Sequence, residues 1–284
     1  MGYWNIIKQQ YKHQCQAAND FADDILSEGC EYLIMKGISL SSYYPTAEDR
    51  SFGDIDIFSF GDHDKVNAFI RKKGIEIEYD DKHDVFKYDG ITIEHHKSFL
   101  GLISKSARIL EVYLQSVASK DKCVKTKDGW YMPSDQFNAI FLLRHMSKHY
   151  FGEGISLKQV IDWGMFLRKG GFYKSEIKDV LSRAGMIKAW NTFTAVSGKV
   201  LDLDFSEHYY GNPDESLVEH VLSDVINYDP SEEHALEGIK RIWAKTKRLY
   251  ASKWMFDCGL MPDNFWRDVI WHSVIDHLKA PRFI

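Results

Sequence analysis

Apolar residues recur at helical spacing from Trp4 to Leu26, at Trp4, Ile7, Tyr11, Cys15, Ala18, Phe21, Ala22 and Ile25, with polar residues between them. This pattern predicts an amphipathic helix. Tyr32-Leu33-Ile34-Met35 is a continuous apolar run that stops at Lys36-Gly37, as a buried strand does when it ends in a turn needing close backbone approach. A short helix over Ile38–Tyr44 is expected to stop at Pro45. Thr46 to Gly53 is polar and turn-like, and from Asp54 to Phe60 the chain alternates as a half-buried strand. Asp62–Lys73 reads as a helix closed by Gly74. Three short β-like runs follow, Ile75–Tyr79, Val85–Tyr88 and Ile91–His95, the last two joined by Asp89-Gly90, a strong two-residue hairpin signal.

Beyond about Lys120 the period changes to that of helices. Ser134–Tyr150, Ile155–Arg168, Ser175–Ala184, Ile187–Val200, Glu215–Tyr228, Glu232–Met255 and Asn264–Leu278 all follow it. Trp243, Trp254, Trp266 and Trp271 fall at helical spacing and read as core. The expected fold is α+β. Residues 1–120 would form a small mixed β-sheet with flanking helices, and residues 121–284 an all-α domain, divided in the polar loop Ser119–Gly129.

With 284 residues the chain can bury a core of enzyme size. A net charge of -5 makes nucleic acid a possible partner but not the favoured one. Four dispersed cysteines without CxxC spacing argue for reduced thiols and against a zinc knuckle or a disulfide framework. The start lacks a cationic segment followed by an apolar one, and no apolar run approaches the roughly 18 residues needed to cross a bilayer. A cytoplasmic protein with no membrane partner is expected.

Asp54 and Asp56 alternate with Ile55 and Ile57, so a strand here projects both carboxylates to one side and buries the isoleucines on the other. Glu94 lies in the later strand run, sharing its parity with His96, and a sheet that pairs the two strands gathers three carboxylates at one edge. Three carboxylates suit Mg²⁺ or Mn²⁺, which take oxygen ligands and substrate phosphates, and so suggest phosphoryl or nucleotidyl transfer. His145 and His149 have zinc-ligand spacing on a helix, but Met146 stands where a zinc hydrolase needs Glu.

Lys36-Gly37 with Tyr44-Pro45, Arg50, Asp54-Ile55-Asp56, and Glu94 with His96 resembles the uncharacterised nucleotidyltransferases of the DNA polymerase beta-like superfamily. Arg144-His145 through Lys148-His149, and Gln159 through Trp163, are similar to the helical segment that follows in that family. The resemblance implies that Asp54 and Asp56 ligate two catalytic metals, while Glu94 completes one site and serves as general base. Gly37, the amides after it and Ser39 would cradle the β- and γ-phosphates of an NTP, and Lys36 and Arg50 would neutralise them. His96, Lys148, His149 and Asp162 would line a cleft closed by the helical domain. The implied reaction moves an NMP from an NTP to an unidentified small-molecule or macromolecular acceptor, releasing pyrophosphate. Ile38 departs from the family's Gly or Ser at that place, which keeps a catalytically silent nucleotide-binding module as an alternative, beside a toxin-like enzyme that modifies tRNA.

Overall fold

The computed structural model describes residues 3–50, 53–101, 104–228 and 246–271. The chain forms two compact units. One comprises Met1–Gly101, Glu111–Asn138 and Lys169–Phe172, the other Leu102–Leu110, Ala139–Arg168 and Tyr173–Ile284.

The first unit is built on a mixed sheet of six strands. In chain order they are β1 (Leu33–Ile34), β2 (Ile55–Phe58), β3 (His83–Tyr88), β4 (Ile91–His96), β5 (Val124–Lys125) and β6 (Tyr131–Met132), arranged in space as β3-β4-β2-β1-β6-β5. β2 runs parallel to β4 and antiparallel to β1, and β1 runs parallel to β6. The helices α1 (Tyr3–Leu26) and α3 (His63–Lys72) lay their apolar stripes on one face of this sheet. Ala18, Phe21, Ala22 and Ile25 of α1 and Val66 and Ile70 of α3 pack with Ile34, Ile55, Ile57, Phe86 and Ile93 of the strands. Alternation along β2 and β4 therefore sends Asp56, Glu94 and His96 to the opposite face.

Local signals explain the remaining joints. Asp89 and Gly90 both have positive φ, 47° and 74°, so the β3–β4 connection is the tight turn whose twist matches the strands it joins. Gly74 caps α3 at φ 75°, with its amide donating to the Arg71 carbonyl at 2.9 Å. The expected strand over Ile75–Tyr79 is absent. Only Glu78 bridges, to Val85, because past it the chain turns away and the Asp80 amide binds the Asp84 carboxylate at 3.3 Å. The expected helix before Pro45 is a single turn, α2 (Ile38–Ser41). β5 and β6 were not expected, being two residues each, too short to show a period.

α4 (Lys105–Val117) and α5 (Asp135–Gly152) each contribute residues to both units. Ser134 caps α5, its Oγ accepting from the Phe137 amide at 3.3 Å. The second unit is helical. It adds α6 (Leu157–Lys169, all but the last residue), α7 (Lys174–Ala184), α8 (Ile187–Leu201) and α9 (Glu215–Ile226). α8 is apolar enough to be buried on nearly every side, and two of its polar side chains are paired: Thr194 accepts from the Trp163 indole at 3.2 Å, and Trp190 donates to the His208 carbonyl at 2.7 Å. Within the last predicted helices, residues 232–245 and 272–278 lie outside the described residues, as do Trp243 and the Trp271 side chain. Trp254 packs on the His220 ring, whereas Trp266 is 53% exposed and not core, standing on a π-helical turn, Phe265–Trp271. All four cysteines are free thiols, and no described helix is long and apolar enough to cross a membrane.

Candidate active site

The parallel pairing of β2 with β4 sets Asp56 directly beside Glu94. Asp54 immediately precedes β2, and the Gln14 amide of α1 fixes that approach by donating to the Gly53 carbonyl at 2.6 Å. Carboxylate oxygens of Asp54, Asp56 and Glu94 lie within 4.8 Å of one another. Asp56 is buried, and one of its oxygens, Oδ1, receives Lys36 Nζ at 2.8 Å and His96 Nε2 at 3.1 Å. The other, Oδ2, is buried with no hydrogen-bond partner among the described residues. A buried carboxylate oxygen is costly to leave bare, and a hard cation among three carboxylates is the group that satisfies it. The donor set fits Mg²⁺ or Mn²⁺.

Electrostatics divide the three carboxylates. Burial works to raise the Asp56 carboxyl, but Lys36 and then His96 outweigh it and hold it well below the usual range. Asp54 goes the other way, pushed up by burial and then by the neighbouring Asp56, with Lys36 only partly offsetting them. The His96 hydrogen bond lowers Glu94 against burial and Asp56. Burial lowers Lys36 and His96, but their acidic partners overcome it and raise both.

An acid raised in the folded state binds its proton more tightly there than in the unfolded chain, so ionising it costs stability. The cost is absent below the unfolded value, about pH 4, and grows as pH rises through the folded one. Asp54→Asn is therefore expected to stabilise the metal-free protein at pH 8 by on the order of 1 kcal/mol, about 2–4 °C in Tm, with the gain fading towards pH 4. Thermal melts in EDTA at the two pH values measure this.

Gly37 ends the β1 segment at φ 62°, ψ -116°, a conformation closed to residues with a Cβ, and opens α2. The buried Arg50 clamps the turn, donating from Nη1 to the Gly37 carbonyl at 2.8 Å. Ser39 is buried in α2 with its Oγ on the Lys36 carbonyl at 3.3 Å. Lys36, Gly37 and Arg50 are thus held as one piece next to Asp56. Gly37→Ala is expected to cost about 1–3 kcal/mol in urea denaturation and to displace Lys36 from Asp56.

Of the other residues singled out in the sequence, His96 joins this cluster. Lys148 and His149 stand on α5 and Asp162 on α6, in the second unit. His149 faces Glu153 at 3.2 Å and stacks edge-on against His145 at 4.3 Å. One neighbour escaped the sequence reading. His83 pairs with His96 across the hairpin, and its Nε2 lies 3.9 Å from Glu94 Oε1. The signal was present, since a two-residue turn pairs residues equidistant from it.

A family profile described as uncharacterised nucleotidyltransferase matches residues 3–196. No curated protein matches the sequence. Among solved structures, the fold is similar to that of the antibiotic-resistance factor ANT(2'')-Ia, at 10% identity and a TM-score of 0.42, covering 60% of this chain and 89% of that one. It is also similar to the Megavirus polyadenylate synthase, at 11% identity and a TM-score of 0.30, covering 82% of this chain and 48% of that one. With more than half its length matched by the profile, and with a mixed sheet carrying its acidic residues on the face away from the helices, the chain belongs to the uncharacterised nucleotidyltransferase family.

Proposed function

We propose that this protein transfers a nucleoside monophosphate from an NTP to an acceptor hydroxyl or phosphate and releases pyrophosphate. The observation that carries the reading is the convergence of Asp54, Asp56 and Glu94, with a buried Asp56 oxygen left bare among them. These three would hold Mg²⁺ or Mn²⁺, which when bound supplies charge neutralisation at the reacting phosphate and the departing pyrophosphate. Lys36 fixes the Asp56 carboxylate in one orientation and adds a positive charge to the site. Glu94, held below the usual carboxylate range, is ionised at neutral pH and is a better ligand than base. Its principal work in this reading is coordination. The Gly37 turn, braced by Arg50, presents the start of α2 and Lys36 for the triphosphate.

The test is Mg²⁺-dependent NTP binding, followed by pyrophosphate release over a panel of small-molecule, protein and RNA acceptors. Release with one acceptor class supports the reading and names the acceptor. Binding with no release on any acceptor favours a nucleotide-binding module, and absence of Mg²⁺-dependent binding overturns both.

A further inference from the structure

We propose that His83, Glu94 and His96 form a further divalent-cation site, of mixed imidazole and carboxylate character, which takes Mn²⁺, Co²⁺ or Zn²⁺ in preference to Mg²⁺. One ligand atom from each of the three lies within 4.8 Å of the others. The hairpin builds this grouping: His83 is directly opposite His96 in the antiparallel pair β3–β4, so both rings project from the same face, and Glu94 lies two residues before His96 on that face. The two rings are 5.0 Å apart at 37°, and Glu94 reaches both, with Oε1 3.9 Å from His83 Nε2 and Oε2 3.5 Å from His96 Nε2.

The arrangement around His96 suits a doubly protonated ring donating to the two carboxylates, and equally a ring bound to a cation. Its Nδ1 faces the Ser98 carbonyl oxygen at 3.3 Å, an atom that only accepts, so Nδ1 carries a proton. Its Nε2 faces two more acceptors, Asp56 Oδ1 and Glu94 Oε2. Acceptors on both sides require either a second proton or a cation at Nε2, and a backbone carbonyl holding the far N–H is how metal-bound imidazoles are oriented. His83 turns Nε2 towards Glu94, and its side chain stays 24% exposed, which leaves a route from solvent to the cluster. Imidazole nitrogen favours the borderline metals, whereas Mg²⁺ favours oxygen ligands, so this site and the three-carboxylate site differ in preference while sharing Glu94.

Chelator-stripped protein with ¹⁵N-labelled histidines is titrated with Zn²⁺ alone and with Mg²⁺ alone, following ring-nitrogen shifts by NMR and affinity by calorimetry. Zn²⁺ is expected to shift the ring nitrogens of both His83 and His96, and Mg²⁺ to leave those of His83 unmoved. His83→Ala should weaken Zn²⁺ by at least ~10-fold, while Asp54→Asn leaves it within about threefold. His83→Gln, which keeps a polar side chain on β3, gives the same reading if the alanine variant does not fold. Unshifted His83 nitrogens overturn the proposal, and so does weakening by Asp54→Asn as large as or larger than that by the His83 variant, which would put Zn²⁺ among the three carboxylates. None of these readouts requires turnover. A protein that releases no pyrophosphate still passes or fails here on its own.

Discussion

Under the proposed activity, Asp56→Ala is expected to lower Mg²⁺-dependent pyrophosphate release by roughly three orders of magnitude or more, to the level of the EDTA control. Asp56 is the carboxylate on which the others depend: it is 1% exposed, it anchors both Lys36 and His96 through Oδ1, and its Oδ2 has no other work. Truncation removes one carboxylate of the acidic cluster and also strands Lys36, whose side chain is only 18% exposed, without its closest partner. The folded protein is therefore expected to lose stability as well as activity, by an amount that the release of repulsion from Asp54 reduces. Asp56→Asn separates the two effects. It keeps the side-chain shape but not the charge, so activity should fall as far while circular dichroism and Tm stay closer to those of the wild type. An asparagine variant retaining more than a tenth of the activity would remove Asp56 from the site.

The largest stability effect is expected on the other side of the sheet. Asp84→Ala should cost about 3–5 kcal/mol in urea denaturation. Asp84 is fully buried and accepts from Asn67 at 2.6 Å and from Lys97 at 2.7 Å, with His63 Nε2 at 3.3 Å. Asn67 in turn faces His95 Nδ1 at 2.9 Å, and His95 Nε2 faces the Ser59 hydroxyl at 2.9 Å, so one carboxylate terminates a buried polar chain that runs from β3 through α3 and β4 to the residue just after β2. Burial works to raise the Asp84 carboxyl, and Lys97 and Asn67 overcome it and lower it. A lowered carboxylate contributes stability above its unfolded value, about pH 4, and loses it as pH falls through the folded one. The difference between wild type and Asp84→Asn should thus be greatest near neutrality and shrink below pH 4. A gap that stays constant from pH 7 to pH 3 would mean that the charge is not what holds this network.

How much of this was legible in the sequence depends on the length of each signal. The Asp54–Ile57 alternation and the Asp89-Gly90 turn are local and complete in themselves, and they predicted which side chains share a face and where β3 meets β4. α1 and α3 were legible because an apolar stripe sustained over nearly three turns or more exceeds chance. β1 was legible as the apolar run Tyr32–Met35, whereas β5 and β6 carry two residues each, and such strands exist only through their partners. The acidic grouping could be expected from parity once the two strands are paired, and the pairing of β2 with β4 is a tertiary fact. The grouping's environment could not: whether Arg50 meets solvent or the Gly37 carbonyl, or that Lys36 and His96 share one oxygen of Asp56, depends on tertiary contacts.

The parallel contact of β1 with β6 brings together Leu33 and Tyr131, and the Tyr131 amide donates to the Tyr32 carbonyl at 2.9 Å. Nearly a hundred residues must leave the ribosome between them, about 5–20 s of synthesis. Until then β1, in the middle of the finished sheet, has an open side, and the nascent chain carries an unpaired strand edge of the kind that recruits other chains. The brevity of β1 limits that hazard, since two residues offer little backbone for a wrong partner to bind.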